Sequence, residues 1–129
     1  MLRIGLLTAL SALGLASEAN AAMCIRLSTL PAKPTAGGQT IVQLKTYATE
    51  PDGRLRPWAV RSYPFRVQAV SPAGRVHRVL VGPSADVYVW RGSFAFPRRG
   101  VWTIRVANFA GGNPNCAKPL RVRVTAARR

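Results

Sequence analysis

Residues Tyr88 to Val106 read YVWRGSFAFPRRGVWTIRV, and the fold class follows from how this stretch is interpreted. Val87/Val89 and then Phe94/Phe96 recur with a period of two, Pro97-Arg98-Arg99-Gly100 makes a turn, and Trp102/Ile104/Val106 resume the same alternation. Successive side chains of a strand point to opposite faces, so this pattern predicts two antiparallel strands joined as a hairpin, each with one face in a core. Gly92 interrupts the first strand, which predicts a β-bulge or a change of sheet there.

Working outward, comparable segments recur along the chain. Residues 24–30 (CIRLSTL) alternate and read as a first edge strand. Pro31, Pro34 and the Gly37-Gly38 pair break it. Residues 40–48 place Val42, Leu44 and Thr46 inward, with Gln43 and Lys45 outward. Glu50-Pro51-Asp52-Gly53 and Ser71-Pro72-Ala73-Gly74 both set Pro at the second turn position and Gly where a left-handed backbone is wanted. Leu55 to Arg61, with Pro57 and Trp58, reads as a loop or a short strand.

Residues 62–70 carry Phe65, Val67 and Ala69 on one side and Arg66 and Gln68 on the other, and residues 75–81 are their hairpin partner. The facing of that partner is open, because Arg78 lies between Val76 and Leu80 while His77 shares a side with Val79 and Val81. After the loop at 111–115, Leu120, Val122 and Val124 point inward, and Arg128 and Arg129 end the chain. The expectation is an all-β, immunoglobulin-like antiparallel β-sandwich of about seven strands in a single domain, residues 22–129.

Residues 1–21 have the form of a signal peptide: Arg3, a mainly apolar run from Ile4 to Ala16, and Ala19-Asn20-Ala21 as an A-x-A end. The apolar run is short of the roughly 20 residues that span a bilayer. Cleavage after Ala21 is expected, which makes the protein periplasmic or extracellular. In such a compartment Cys24 and Cys116, 92 positions apart, are expected to form a disulfide. The competing assignment is metal ligation together with Met23 and His77, for which the CxxC spacing is missing.

The run W-x-G-x-F-x-F-P-x-x-G-x-W-x-I-x-V, Trp90 to Val106, resembles the C-terminal half of small exported bacterial immunoglobulin-like domains, the YtkA-like and FixH-like groups. The resemblance covers about a third of the exported chain and consists of core and turn positions. It implies the fold and makes Trp102 the buried aromatic of the penultimate long strand. Related copper-handling sandwiches use clusters of Met and His; here only Met23 and His77 follow the signal segment, so no metal and no cofactor is expected.

Acid–base chemistry has little to draw on beyond the leader: Glu50, Asp52, Asp86 and His77. Ser84 or Ser93 could be combined with His77 and Asp86, but no nucleophile-elbow motif surrounds either serine. The protein is therefore expected to be non-enzymatic.

Charge is the extreme property, a formal +15. Loss of the leader removes Arg3 and Glu18 and leaves that balance unchanged. All remaining cations except Lys33, Lys45 and Lys118 are arginines. If Phe65/Val67, Ile104/Val106 and Val122/Val124 face inward, Arg66, Arg105, Arg121 and Arg123 face outward, and an immunoglobulin-like order makes their three strands neighbours. The alternative account is that base-composition bias supplies the arginines on a wet sheet face that needs polar residues in any case, although such a bias does not explain the scarcity of acids.

Guanidinium groups suit bidentate contact with carboxylate or phosphate, and a clustered field attracts anions. The expected function is a binding module whose arginine-lined sheet, at Arg66, Arg105, Arg121 and Arg123, holds an anionic polymer such as an acidic glycan, a membrane surface through its lipid head groups, or an acidic protein. Export and the lack of a recognition motif argue against nucleic acid. The alternative is a structural or assembly subunit that docks through a sheet edge or the Trp58/Trp90 aromatic surface.

Overall fold

The protein, seen here in a computed structural model, is described over residues 23–109 and 116–127. The proposed signal segment, the 111–115 loop and the Arg128–Arg129 tail lie outside these residues. Among the described residues nine strands run in the order β1 (Met23–Leu30), β2 (Gln39–Thr49), β3 (Leu55–Pro57), β4 (Val67–Val70), β5 (Val76–Val79), β6 (Gly82–Pro83), β7 (Val89–Ala95), β8 (Gly100–Val106) and β9 (Leu120–Val124). They form two antiparallel sheets, one ordered β1-β2-β7-β6 with β3 also on β2, the other β5-β4-β8-β9. The result is an all-β sandwich. The two strands beyond the expected seven are β3 and β6, of three and two residues, too short to show a period.

Inward positions follow the alternation read from the sequence. Val42 and Leu44 of β2 meet Val67 and Ala69 of β4, Trp102 and Ile104 of β8, and Val122 and Val124 of β9 in one buried layer, and Thr46 is buried as well. Trp102 is fully buried, as the resemblance implied, and its ring meets Phe96 edge-on at 5.2 Å. Its indole N–H donates to the Arg98 carbonyl at 2.9 Å, which satisfies the one polar group that burial would otherwise strand. At the other end of the core Phe65 packs edge-on against Trp90 at 5.0 Å. Both Gly-containing turns close as expected: Gly53 N–H donates to Glu50 O, Gly74 N–H donates to Ser71 O, and each glycine has positive φ.

The central stretch departs from the hairpin expectation. β7 pairs with β2 and β6, while β8 pairs with β4 and β9, so Phe96 to Arg99 carry the chain from one sheet to the other. Strands facing each other across a core present the same inward alternation as strands paired within a sheet, so period alone could not separate the two. Phe96 is buried at the crossing, and its carbonyl accepts from Gly37 N–H at 2.8 Å.

Gly92 is not a bulge either. The β2–β7 register runs unbroken from Gln39↔Ala95 to Lys45↔Val89. The inward set is Trp90, Gly92 and Phe94, and Val87 belongs to the turn before the strand. Glycine is required there because the backbone between β5 and β6 passes over it: an added Cβ would lie 1.9 Å from the Leu80 carbonyl oxygen.

Candidate anion-binding face

The disulfide fixes one flank of the sandwich. Cys24 on β1 and Cys116, just before β9, are bonded with their Cα atoms 4.8 Å apart, which joins the edges of the two sheets. Both are buried, Ala117 N–H donates to Ile25 O, and Thr35 bridges Thr125 in parallel along the same flank. Strand β9, which carries two of the candidate arginines, is thereby held on both sides.

On the outer face of the β5-β4-β8-β9 sheet the register assigns each side chain to a row. Arg66, one residue before β4, faces Ala107, whose N–H donates to the Arg66 carbonyl at 2.8 Å. The next row holds Arg78, Gln68 and Arg105 on β5, β4 and β8. Val76, Val70, Thr103 and Arg121 follow, and then Val101 beside Arg123. All four arginines named from the sequence are exposed, and they share this face because their neighbours Phe65, Val67, Ile104, Val106, Val122 and Val124 are buried beneath it.

The structure adds three residues that the sequence reading did not single out. Arg78 joins the face because Val76 and Leu80, its companions in parity, are the exposed side of β5, at 48% and 73%. His77 on the opposite parity faces the core against Trp102, ring centroids 5.3 Å apart. Gln68 accepts from Arg105 Nε–H at 2.9 Å and so sets the direction of that guanidinium. Asn108 holds the approach to β4: its side-chain oxygen accepts from Arg66 N–H at 2.8 Å and its amide donates to Pro64 O at 2.7 Å. Exposed Val76 on β5 and exposed Leu80 just after it hid the facing of Arg78, and nothing local marks Asn108 as a clamp across a sheet.

The acids lie elsewhere. Glu50 pairs with Arg56 at 2.6 Å and Asp52 with Arg54 at 3.4 Å, both at the β2–β3 turn. The Asp86 carboxylate accepts from Tyr88 N–H at 3.0 Å in the loop before β7. Among the described residues no carboxylate forms an ion pair with any of the five arginines. Neighbouring cations about 8 Å apart repel by about 0.5 kcal/mol per pair in water before screening, a cost that a bound polyanion reverses in sign.

The other sheet's outer face is less exclusive. Arg26 and Lys45 lie over the Tyr47 ring at 5.7 and 5.6 Å, so an aromatic quadrupole already faces both charges. Arg91 stands there beside Gln43 in a shallow apolar groove with Leu30 and Ile41.

The groups considered for catalysis are engaged structurally. Ser84 Oγ donates to the Val89 carbonyl at 2.7 Å, Ser93 accepts from Gln39, and His77 is packed on Trp102. Of the aromatic surface, Trp58 is 40% exposed, but Trp90 is buried and its indole N–H donates to the Val60 carbonyl at 2.6 Å. The Trp58/Trp90 pair is therefore not a surface, since β7 directs Trp90 inward opposite Leu44. No protein-family model matches this chain and no curated protein matches it, so the meaning of the face rests on its own residues.

Proposed function

We propose that this protein is a non-enzymatic exported binding module, periplasmic or extracellular, whose immunoglobulin-like sandwich presents an arginine-lined sheet to an anionic partner. The fold reading is supported by the strand order. β1-β2-β7-β6 and β5-β4-β8-β9 match A-B-E-D and C′-C-F-G of that architecture. The disulfide departs from the B–F pattern of antibody domains, since it links the first strand to the approach to the last. Export is supported by the leader pattern of residues 1–21, and a buried disulfide suits an oxidising compartment.

The observation that carries the functional reading is the gathering of Arg66, Arg78, Arg105, Arg121 and Arg123 on one solvent face, with the acids at the other sheet. Retention on a sulfonate matrix tests it. Two variants with equal net charge are compared: Arg66, Arg105, Arg121 and Arg123→Gln, and Arg26, Lys45, Arg91 and Arg98→Gln. The first is expected to elute at clearly lower salt than the second, because contact through a patch, and not total charge, sets the ionic-strength dependence. Co-elution of the two variants would remove the face from the account.

One observation favours a second reading, docking onto another subunit. Trp58, Val87 and Tyr88 are 40%, 37% and 38% exposed, and the Trp58 and Tyr88 carbonyls both accept from the Thr46 hydroxyl. An apolar contact there would withstand salt that disrupts the arginine face.

A further inference from the structure

The arginines are not spread evenly over their face. From Arg66, just before β4, to Arg105 on β8 to Arg121 on β9, each step moves one strand across and one row along, and Arg123 continues two residues further on β9. With strands about 4.8 Å apart and about 6.8 Å per two residues, the steps are about 8, 8 and 7 Å, and the file runs for about 22 Å. Sheet twist of about 20–25° per strand bends it into a shallow arc. Arg78 stands to one side of its beginning, across Gln68 from Arg105.

A diagonal file of like charges at a nearly constant interval matches a chain carrying one anion per repeat. A membrane offers charge in two dimensions and gains nothing from a file. Single-stranded nucleic acid has a suitable backbone, but its affinity is supported by bases stacked on aromatic rings. Here Trp90, Trp102, Phe65 and Phe96 all face the core, and the side chains lying between the arginines are Gln68, Val70, Thr103 and Val101. Gln68 and Thr103 add amide and hydroxyl groups between the cations, the partners that a sugar's hydroxyls require.

We propose, resting on the anion-binding reading, that the ligand class is a linear acidic polysaccharide with about one carboxylate or sulfate per disaccharide, laid along the diagonal from Arg66 to Arg123. Each charge then meets one guanidinium, and the neutral positions between charges lie over Gln68 and Thr103.

The test is titration of the full exported chain with hyaluronan oligosaccharides from disaccharide to decasaccharide, which carry one carboxylate per disaccharide. Affinity is expected to rise about threefold with each added carboxylate, as for exposed ion pairs, and to level off near the octasaccharide. Arg123→Gln shortens the file and should bring the plateau one disaccharide earlier, whereas Arg26→Gln should leave the length profile unchanged. Equal affinity for the disaccharide and the octasaccharide would overturn the proposal. So would tighter, arginine-dependent binding of phosphatidylglycerol vesicles or of oligothymidylate, although that result would keep the anion-binding reading. Failure of all three probes to bind would remove the reading on which the proposal rests.

Discussion

Replacing both Cys24 and Cys116 by serine should lower the unfolding free energy by about 4.6 kcal/mol, the value that the loop-entropy model gives for a cross-link closing 92 positions. The size of the loop is only part of the reason. A domain of about a hundred residues buries roughly two thirds of its extended-chain surface and keeps a thin margin of stability. The bridge joins the edge of one sheet to the edge of the other, and the Ala117-to-Ile25 and Thr35–Thr125 contacts lie along the same flank. Without it, β1 and β9 are held together across the sandwich by these few backbone bonds and by packing. The midpoint of thermal unfolding should fall by roughly 18–37 °C, at about 4–8 °C per kcal/mol. Denaturant titration of the double variant beside the oxidised chain measures the change. A loss below about 1 kcal/mol would show that the flank is secured by its core contacts instead.

The second large effect is expected at Gly92→Ala. The added Cβ would sit 1.9 Å from Leu80 O and 2.8 Å from Leu80 C, both backbone atoms, so no side-chain rotation relieves the overlap. Either β7 withdraws from β2 or the β5–β6 crossing is displaced. Overpacking of a well-filled core costs about 1–3 kcal/mol, and a clash with backbone belongs near the upper end. A loss of about 3 kcal/mol, with amide exchange faster in β5 to β7 than in β9, is the expected outcome. An alanine variant as stable as the parent would mean that the crossing is slack.

Gly92 also shows where the sequence was and was not legible. Its glycine was visible, but glycine marks both a bulge and a close approach of another segment, and only the third dimension distinguishes them. Similarly, the alternation of Phe94/Phe96 and Trp102/Ile104 directs them toward a core but does not name the sheet to which each strand belongs, because inward parity is blind to the hydrogen-bonding partner. Where burial on one face is strict, parity fixed the outcome: Val67, Ile104 and Val122 are inward, so Arg66, Arg105 and Arg123 are outward. Where it is lax, as on the edge strand β5 with Val76 exposed, Arg78 could not be assigned. The Gln68–Arg105 bond and the Asn108 clamp link residues 37 and 42 positions apart, and only the β4–β8 pairing brings them together.

On the proposed reading, anions are received by one face of one sheet. The most direct measurement is a nuclear magnetic resonance titration with low-mass dextran sulfate that follows the arginine Nε–H signals. The account predicts that Arg66, Arg105, Arg121 and Arg123 shift together with a common midpoint, while Arg26 and Arg91 on the opposite sheet stay in place. Shifts of equal size on both sheets, or four unmoved arginines while the polymer binds, would contradict it.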